Sequence, residues 1–541
     1  MNRSDENYAS RGGLAVTALL AVLVAVSFIP PQSIGGVKLR RANILSELLS
    51  FDDASGDAHR LEPVEELSRI DLDSVAGCIA ATDTLPTVKQ LRYAWRLPAD
   101  SLTAADAAPF VPVPDSVRRS PALIPIEDFS AAGDRMEAFY DTLLHARRPV
   151  RIAFLGDSFV EGDILTADLR EQLQLAYGGG GTGFAPVASP LTSYRRSVKT
   201  QSKGWTAYNI MQRKNAPESA AGSFFVSGWV CQAAAGASTA WTSTDFRRQL
   251  TDCNEAHLLF ISPSDSRIEV TLNDTLRNTF AVEGDRSVRD IVVSAPCIRS
   301  LAFRVAAGER GFVGYGALFG AERGVEVDNY SVRSNNGRAL FWTNPSVNAQ
   351  VHALVPYDLV ILQYGLNIMQ QGVRAYGRYG EQLDQMIAFV RECFPGAAVL
   401  LLGVSDRSVK TENGFEPMDA VPYLTDCQRA AAQRAGAAFW PTGEAMRSWG
   451  GMESFVANGW AGKDYTHINY EGGRRVAWSL ADALHAGARA VYLRHEALHS
   501  LPAAGNVLDS LQRELLRTRM QPERLPAAPR TVEDAHVRRN P

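Results

Sequence analysis

The chain has 541 residues, enough for two or three domains, and its 46% hydrophobic and 21% charged residues are an ordinary globular composition. A formal net charge of -4 argues against the basic excess of a nucleic-acid binder, so no nucleic-acid partner is expected. The six cysteines (Cys78, Cys231, Cys253, Cys297, Cys393, Cys427) include no CxxC pair and no metal-site spacing, and in the region of Cys231, Cys253 and Cys297 both a disulfide and free buried thiols stay open.

Residues 14–29 are apolar except for Thr17 and Ser27, follow Arg3 and Arg11, and end at Pro30-Pro31. With Gly12 and Gly13 the run approaches the lower limit of roughly 17 residues for a membrane-spanning helix. A cleaved signal peptide ends in a small-residue site, and Ser-Phe-Ile-Pro-Pro is a poor one. Residues 1–31 therefore read as an uncleaved, single-pass transmembrane anchor in the inner membrane, with the rest of the chain exported to the periplasmic face. A buried soluble helix is the competing reading.

Residues 32–125 accumulate Ala, Asp, Pro and Ser and read as a low-order spacer, with short elements near 45–49 and 88–95. A domain begins near Ile126, where Phe129, Met136, Phe139, Tyr140 and Leu143 mark an amphipathic helix leading into a strand. That strand, 150–155, is apolar except for Arg151 and stops at Gly156-Asp157-Ser158. Leu165, Leu169 and Leu173 then recur at helical spacing. Ser158 thus sits where a strand hands over to a helix, at the carboxyl edge of a sheet and near backbone N–H groups able to stabilise negative charge. Alone, Gly-Asp-Ser is also what an ordinary strand-ending turn looks like.

The glycines of 178–183 stop the helix, lack the Gly-Lys-Ser/Thr ending of a P-loop, and read as a flexible turn bordering a cleft. Between 193 and 324 helical periodicity gives way to short β-rich runs at 223–230, 256–261, 266–272, 290–293, 301–305 and 311–318, the pattern of an inserted β-sandwich. Trp205, Trp229 and Trp241 are open to two roles there, sugar-stacking platform or core.

Strand and helix then alternate: a strand at 360–363 leading to Gly365-Leu366-Asn367, a helix at 380–394, a strand at 398–402, a helix at 421–435 and a strand at 437–440. This texture predicts a parallel sheet with helices on both faces. Asp464 and His467 lie in a loop before a last helix, which Asn469 caps and Val476, Leu480 and Leu484 bury. A serine hydroxyl needs a base within hydrogen-bond reach, and the base needs an orienting carboxylate. The same Asp/Glu-to-His spacing recurs at Asp482/His485, Glu496/His499 and Glu533/His536, but only Asp464/His467 falls in a loop just before a helix. His257 and His352 read as ordinary strand or surface positions.

Gly-Asp-Ser after a first strand, Gly-x-Asn after a middle strand and Asp-x-x-His before a final helix resemble, in order and context, the SGNH or GDSL hydrolase family. The β-rich insert between the first two blocks is similar to that of bacterial peptidoglycan O-acetylesterases of this family. The resemblance covers about 126–488 without the insert. It implies a flavodoxin-like three-layer α/β/α domain in two parts, 126–192 and 325–490, split by the β-module at 193–324 and followed by a tail at 491–541. It further implies Ser158 as nucleophile, His467 as general base and acid, and Asp464 as orienting carboxylate. The oxyanion hole would use the backbone N–H of Ser158, the side-chain amide of Asn367, and the N–H of Ser334 or, alternatively, Gly337. The expected activity is a serine esterase removing O-acetyl groups from an envelope glycan such as peptidoglycan, without cofactor or metal. The alternatives are an O-acetyltransferase with the same triad and a non-catalytic glycan-binding protein.

Overall fold

The computed structural model describes residues 33–34, 37–38, 71–80, 91–98, 110–130, 135–190, 192, 195–247, 250 and 252–499. The chain divides into two compact units between Glu62 and Pro63. In the first, Ser33–Ile34 and Val37–Lys38 pair as antiparallel strands. The expected anchor at 14–29, the short element at 45–49 and the tail beyond 499 lie outside the described residues. Among the described residues, no helix is long and apolar enough to cross a membrane.

In the second unit, five strands run parallel: Pro149–Gly156, Gly324–Ser331, Leu359–Gln363, Ala398–Leu402 and Ala438–Trp440. Nearly every residue in them is buried, as strands covered on both faces require. Across the sheet the order is Gly324–Ser331, Pro149–Gly156, Leu359–Gln363, Ala398–Leu402, Ala438–Trp440, closed by the short antiparallel Glu127–Asp128. Counted along the chain, the parallel strands lie 2-1-3-4-5, the flavodoxin-like order, whose switch point falls between strands 1 and 3. Ser331, Gly156, Gln363, Leu402 and Trp440 stand level in register, so all five strands end on one line.

Two groups of helices cover this sheet, each packing chiefly within itself. One holds Arg135–His145, Thr166–Tyr177 and Tyr470–His499; the other holds Leu72–Ala80, Pro345–Leu354, Gly377–Cys393 and Ala420–Ala435. The expected stripes are the buried ones: Leu165, Leu169, Leu173, Val476, Leu480 and Leu484 are all 0% exposed.

The β-rich region joins into one ten-stranded sheet. Its central strand, Trp229–Ser243, pairs with Ser300–Ala307 through 238–242 and with Val313–Gly320 through 231–232. Phe303 and Phe260 sit on strands three apart in the order, yet their rings are 5.9 Å apart. With strands about 4.8 Å apart a flat sheet could not bring them together, so this one curls over a core of its own. Trp241 is in that core, and Trp205 stacks on Phe303 with ring centroids 6.1 Å apart.

The curled sheet reaches beyond 193–324. Gly183–Pro186 pairs with Val313–Gly320, and Arg92–Arg96, within the stretch expected to be a spacer, pairs parallel with Val288–Ser294. The Leu72–Ala80 helix is likewise part of the fold. The polar strand Val198–Asn209 escapes a periodicity reading because most of its residues are exposed. The glycines of 178–183 are not a flexible turn but a close crossing: a Cβ on Gly180 would stand 1.8 Å from the Asp252 carbonyl oxygen, and one on Gly181 would stand 2.2 Å from that of Phe319. Cys231 and Cys253 are buried free thiols, and Cys297 is exposed and free.

A buried chain of charges links the two sheets. Arg151, on the Ser158 strand, pairs with Glu326 and contacts His257 Nε2 at 3.2 Å. His257 Nδ1 lies 2.9 Å from Asp290, which also accepts from Arg92 at 3.0 Å. His257 is therefore a buried ion-network residue, not an ordinary strand position.

Candidate active site

The site is built from loops that leave the level strand ends. Gly156 ends its strand where a Cβ would press to 2.5 Å from Val160 and 3.2 Å from the Gln363 carbonyl. Asp157 follows, 0% exposed, its Oδ1 accepting the Phe159 N–H at 2.9 Å and closing the turn. This turn leaves Ser158 half-buried, ahead of the 3-10 turn Glu161–Asp163 and the helix Thr166–Tyr177.

The facing loop is closed at its base by a bridge between Ala461 and Ile468, and the Gly462 N–H donates to the His467 carbonyl at 2.7 Å. Within it, Asp464 Oδ1 accepts the N–H groups of Thr466 and His467 at 3.1 Å each. Asp464 Oδ2 lies 2.6 Å from His467 Nδ1, and His467 Nε2 lies 3.2 Å from Ser158 Oγ. Burial works to raise the Asp464 pKa, but the hydrogen bonds from His467 and Thr466 and the His467 charge outweigh it and hold the carboxyl at about 2. An ionised Asp464 accepts only, so Nδ1 carries the imidazole proton and Nε2 is left as acceptor for the serine hydroxyl.

The last helix pins this loop to the Ser158 turn. Asn469 Oδ1 accepts the N–H groups of Glu471 and Gly472, capping Tyr470–His499 as expected. Tyr470 Oη donates to the Gly162 carbonyl at 2.9 Å, and Gly473 lies where a Cβ would stand 2.0 Å from the Ile164 carbonyl oxygen.

Asn367 arrives from the neighbouring strand Leu359–Gln363. Its Nδ2 donates at 3.0 Å to Asp157 Oδ2 and at 3.0 Å to the Asn335 carbonyl. Both amide protons are thus engaged at the edge of the site, where the expectation had one of them directed into an oxyanion hole. Burial is the main influence on Asp157 and raises its pKa to about 7, against the Phe159 N–H, the His467 charge and the Asn367 amide. In the loop after Gly324–Ser331, Ser334 has φ 60, a left-handed backbone that glycine adopts most easily. Gly337 does not offer a free donor: its N–H bonds Asn335 Oδ1 at 2.9 Å, and its missing Cβ makes room for Met386.

The structure therefore brings Ser158, His467 and Asp464 together in one hydrogen-bonded chain, with Asn367 beside Asp157. The links through Asp157, Asn335 and Tyr470 carry no signal in local spacing, because each joins segments far apart in sequence. The repeated spacings fall elsewhere: Asp482 accepts from Ser120 Oγ at 2.6 Å, and His485 Nδ1 lies 2.9 Å from Tyr177 Oη.

No family profile and no curated protein matches this chain. Among solved structures, a peptidoglycan O-acetylesterase is similar over 68% of this chain and 99% of its own, at 21% identity and a TM-score of 0.55. A Bacillus subtilis protein covers 59% of this chain and 98% of its own at 14% identity and a TM-score of 0.24. A family two carbohydrate esterase from Cellvibrio japonicus covers 44% and 86% at 9% identity and a TM-score of 0.18. The last two scores are too low to carry an argument. The first likeness, at 21% identity, is one of fold.

Proposed function

We propose that this chain is a serine esterase of the SGNH/GDSL type that removes O-acetyl groups from an envelope glycan such as peptidoglycan. The observation that carries the reading is the unbroken relay from Ser158 Oγ to His467 Nε2 at 3.2 Å and from His467 Nδ1 to Asp464 at 2.6 Å. Ser158 Oγ attacks the acetyl carbonyl carbon while its proton passes to His467 Nε2. The carbonyl oxygen becomes an oxyanion held by the N–H groups of Ser158 and Ser334. Asn367 adds a third donor by exchanging its bond to the Asn335 carbonyl for the oxyanion. Collapse breaks the bond to the sugar oxygen, which leaves with the proton from His467. Water then attacks acyl-Ser158 by the same route and releases acetate.

The acetylated-glycan substrate is supported by the similar solved structure, a peptidoglycan O-acetylesterase. The apolar run 14–29 supports an exported enzyme held at the periplasmic face of the inner membrane. The test is acetate release from O-acetylated peptidoglycan and hydrolysis of p-nitrophenyl acetate by the wild-type chain and by Ser158→Ala. Loss of the nucleophile removes on the order of 10⁶ in rate from a comparable triad. Turnover by the variant near that of the wild type would refute the assignment.

A further inference from the structure

A polar groove of about 850 Å³ lies between loops of the curled sheet and the start of the Pro345–Leu354 helix. Arg286 and Arg310 line it from two loops; both are exposed, and neither makes a hydrogen bond or ion pair with another described residue. Asp285, in the same lining, is committed to Arg289 at 2.7 Å and to the Ser287 N–H at 2.7 Å, which leaves Glu218 as the unpaired carboxylate. Ser287 also lines the groove, is 1% exposed, and its Oγ has no hydrogen-bond partner. A buried hydroxyl left unsatisfied costs about 1–3 kcal/mol, so a ligand oxygen within reach of Ser287 Oγ would be favoured there.

The strand Trp229–Ser243 contributes a residue to this groove and another to a cavity beside the Ser158 turn. Trp229 lines a separate cavity together with Gly162, Asp163, Asn329 and Ser331, beside the nucleophile turn at the carboxyl edge of the parallel sheet. Gln232, three residues further along the strand, lines the groove.

We propose that this groove is a second binding site, apart from Ser158, that takes a carboxylate-bearing glycan. Two guanidinium groups without protein partners match carboxylates, which arginine binds in a bidentate fork. Ser264, and Ser219 with Gln232, whose amide donates to the Ser219 hydroxyl at 2.7 Å, add polar groups of the kind that meet sugar hydroxyls. The volume lies in the range of about 300–1,000 Å³ usual for ligand pockets. The proposal rests on the esterase reading only for the choice of a glycan as the ligand.

The test measures binding by calorimetry on the full chain carrying Ser158→Ala, so that no ester is turned over. One probe is a tetrasaccharide alternating N-acetylglucosamine and N-acetylmuramic acid, which bears carboxylates; the other is chitotetraose, of equal length and uncharged. The carboxylated probe is expected to bind at least tenfold more tightly, and adding Arg286→Ala with Arg310→Ala is expected to abolish that preference. Equal affinity for the two probes, binding of neither, or a preference that survives the double substitution overturns the proposal. A failure of the esterase reading is separately visible as wild-type protein that does not hydrolyse p-nitrophenyl acetate.

Discussion

Tyr470 donates its phenolic proton to the Gly162 carbonyl at 2.9 Å, tying the helix after the His467 loop to the turn after Ser158. Ser158 and His467, which face each other in the relay, are 309 residues apart in sequence. Their alignment depends on contacts of this kind. Tyr470→Phe loses one hydrogen bond, worth about 1 kcal/mol, and should lower kcat on p-nitrophenyl acetate several-fold with a small fall in Tm. Gly473→Ala should do more damage, because its Cβ meets the Ile164 backbone at 2.0 Å and cannot be accommodated without moving the helix. A Gly473→Ala protein with wild-type Tm and kcat would show that this crossing does not align the triad.

Asp157 and Asn367 form the second such link. Asn367→Ala should lower kcat by about 10²–10³, the usual cost of one oxyanion donor; a change confined to KM would mean that the amide only binds substrate. Asp157→Asn keeps the side chain's shape but weakens its grip on the Asn367 amide, and a fall in kcat on the order of tenfold is expected.

Asp157 should also shape stability against pH. Its folded pKa, raised by burial to about 7, lies above the unfolded value of 3.8. Between those values the folded state holds a proton that the unfolded state has lost, so this group's contribution to stability falls as pH rises from about 4 to 7. Asp464 acts in the opposite sense. Its pKa is held at about 2, so the stability it adds is present above about 4 and is lost as pH falls towards 2. Chemical denaturation of the wild type and Asp157→Asn across pH 4 to 7 measures the first effect. Identical slopes for the two proteins would refute it.

The buried charges between the two sheets make a third case. Arg151→Met leaves Glu326 buried without its cation, and removing one partner of such a pair costs about 3–5 kcal/mol. Burial alone would depress the His257 pKa, but Asp290 and Glu255 outweigh it and lift it to about 9. Raised from 6.5, it adds stability that is full below about 6.5 and lost as pH rises through 9. His257→Gln should flatten that loss in a Tm series from pH 6 to 10; an unchanged profile would locate the titration elsewhere.

Four of the five parallel strands were legible because they are buried on both faces and read as largely apolar runs, as at 398–402; Gly324–Ser331, with Glu326, Asp328 and Asn329 in it, gave no such run. The relay of Ser158, Asp464 and His467 was legible because each residue sits at a strand or helix boundary with its own local pattern. Three kinds of feature were hidden. Val198–Asn209 is a strand whose residues mostly face water, so its composition resembles a loop. Arg92–Arg96 falls in the short element expected near 88–95, but its place in the sheet was hidden, because that comes from pairing with Val288–Ser294, nearly two hundred residues away, and not from its own periodicity. His257 looked ordinary because the partners that make it an ion-network residue, Arg151 and Asp290, come from other strands.

The backbone of Ser334 yields the sharpest test of the oxyanion hole. At φ 60 an L-residue pays a left-handed conformational cost of roughly 1–2 kcal/mol, which glycine avoids. If Ser334 acts through its N–H, then Ser334→Gly keeps the donor, relaxes the backbone and should retain kcat within a few-fold. Ser334→Val also keeps the N–H, but a β-branched residue resists this region, so the loop should shift and kcat should fall. Gly337→Ala makes the contrasting case. Its Cβ would stand 2.5 Å from Met386 and its φ is 96, so packing and stability should suffer. Its N–H stays bonded to Asn335, so any loss of kcat should track the loss of Tm. Steady-state kinetics on p-nitrophenyl acetate with a Tm for each variant separates the two positions. If Ser334→Gly loses activity at unchanged Tm, the side chain matters and the backbone-donor role is wrong. If Ser334→Val retains full kcat at unchanged Tm, the left-handed backbone is not what aims the donor.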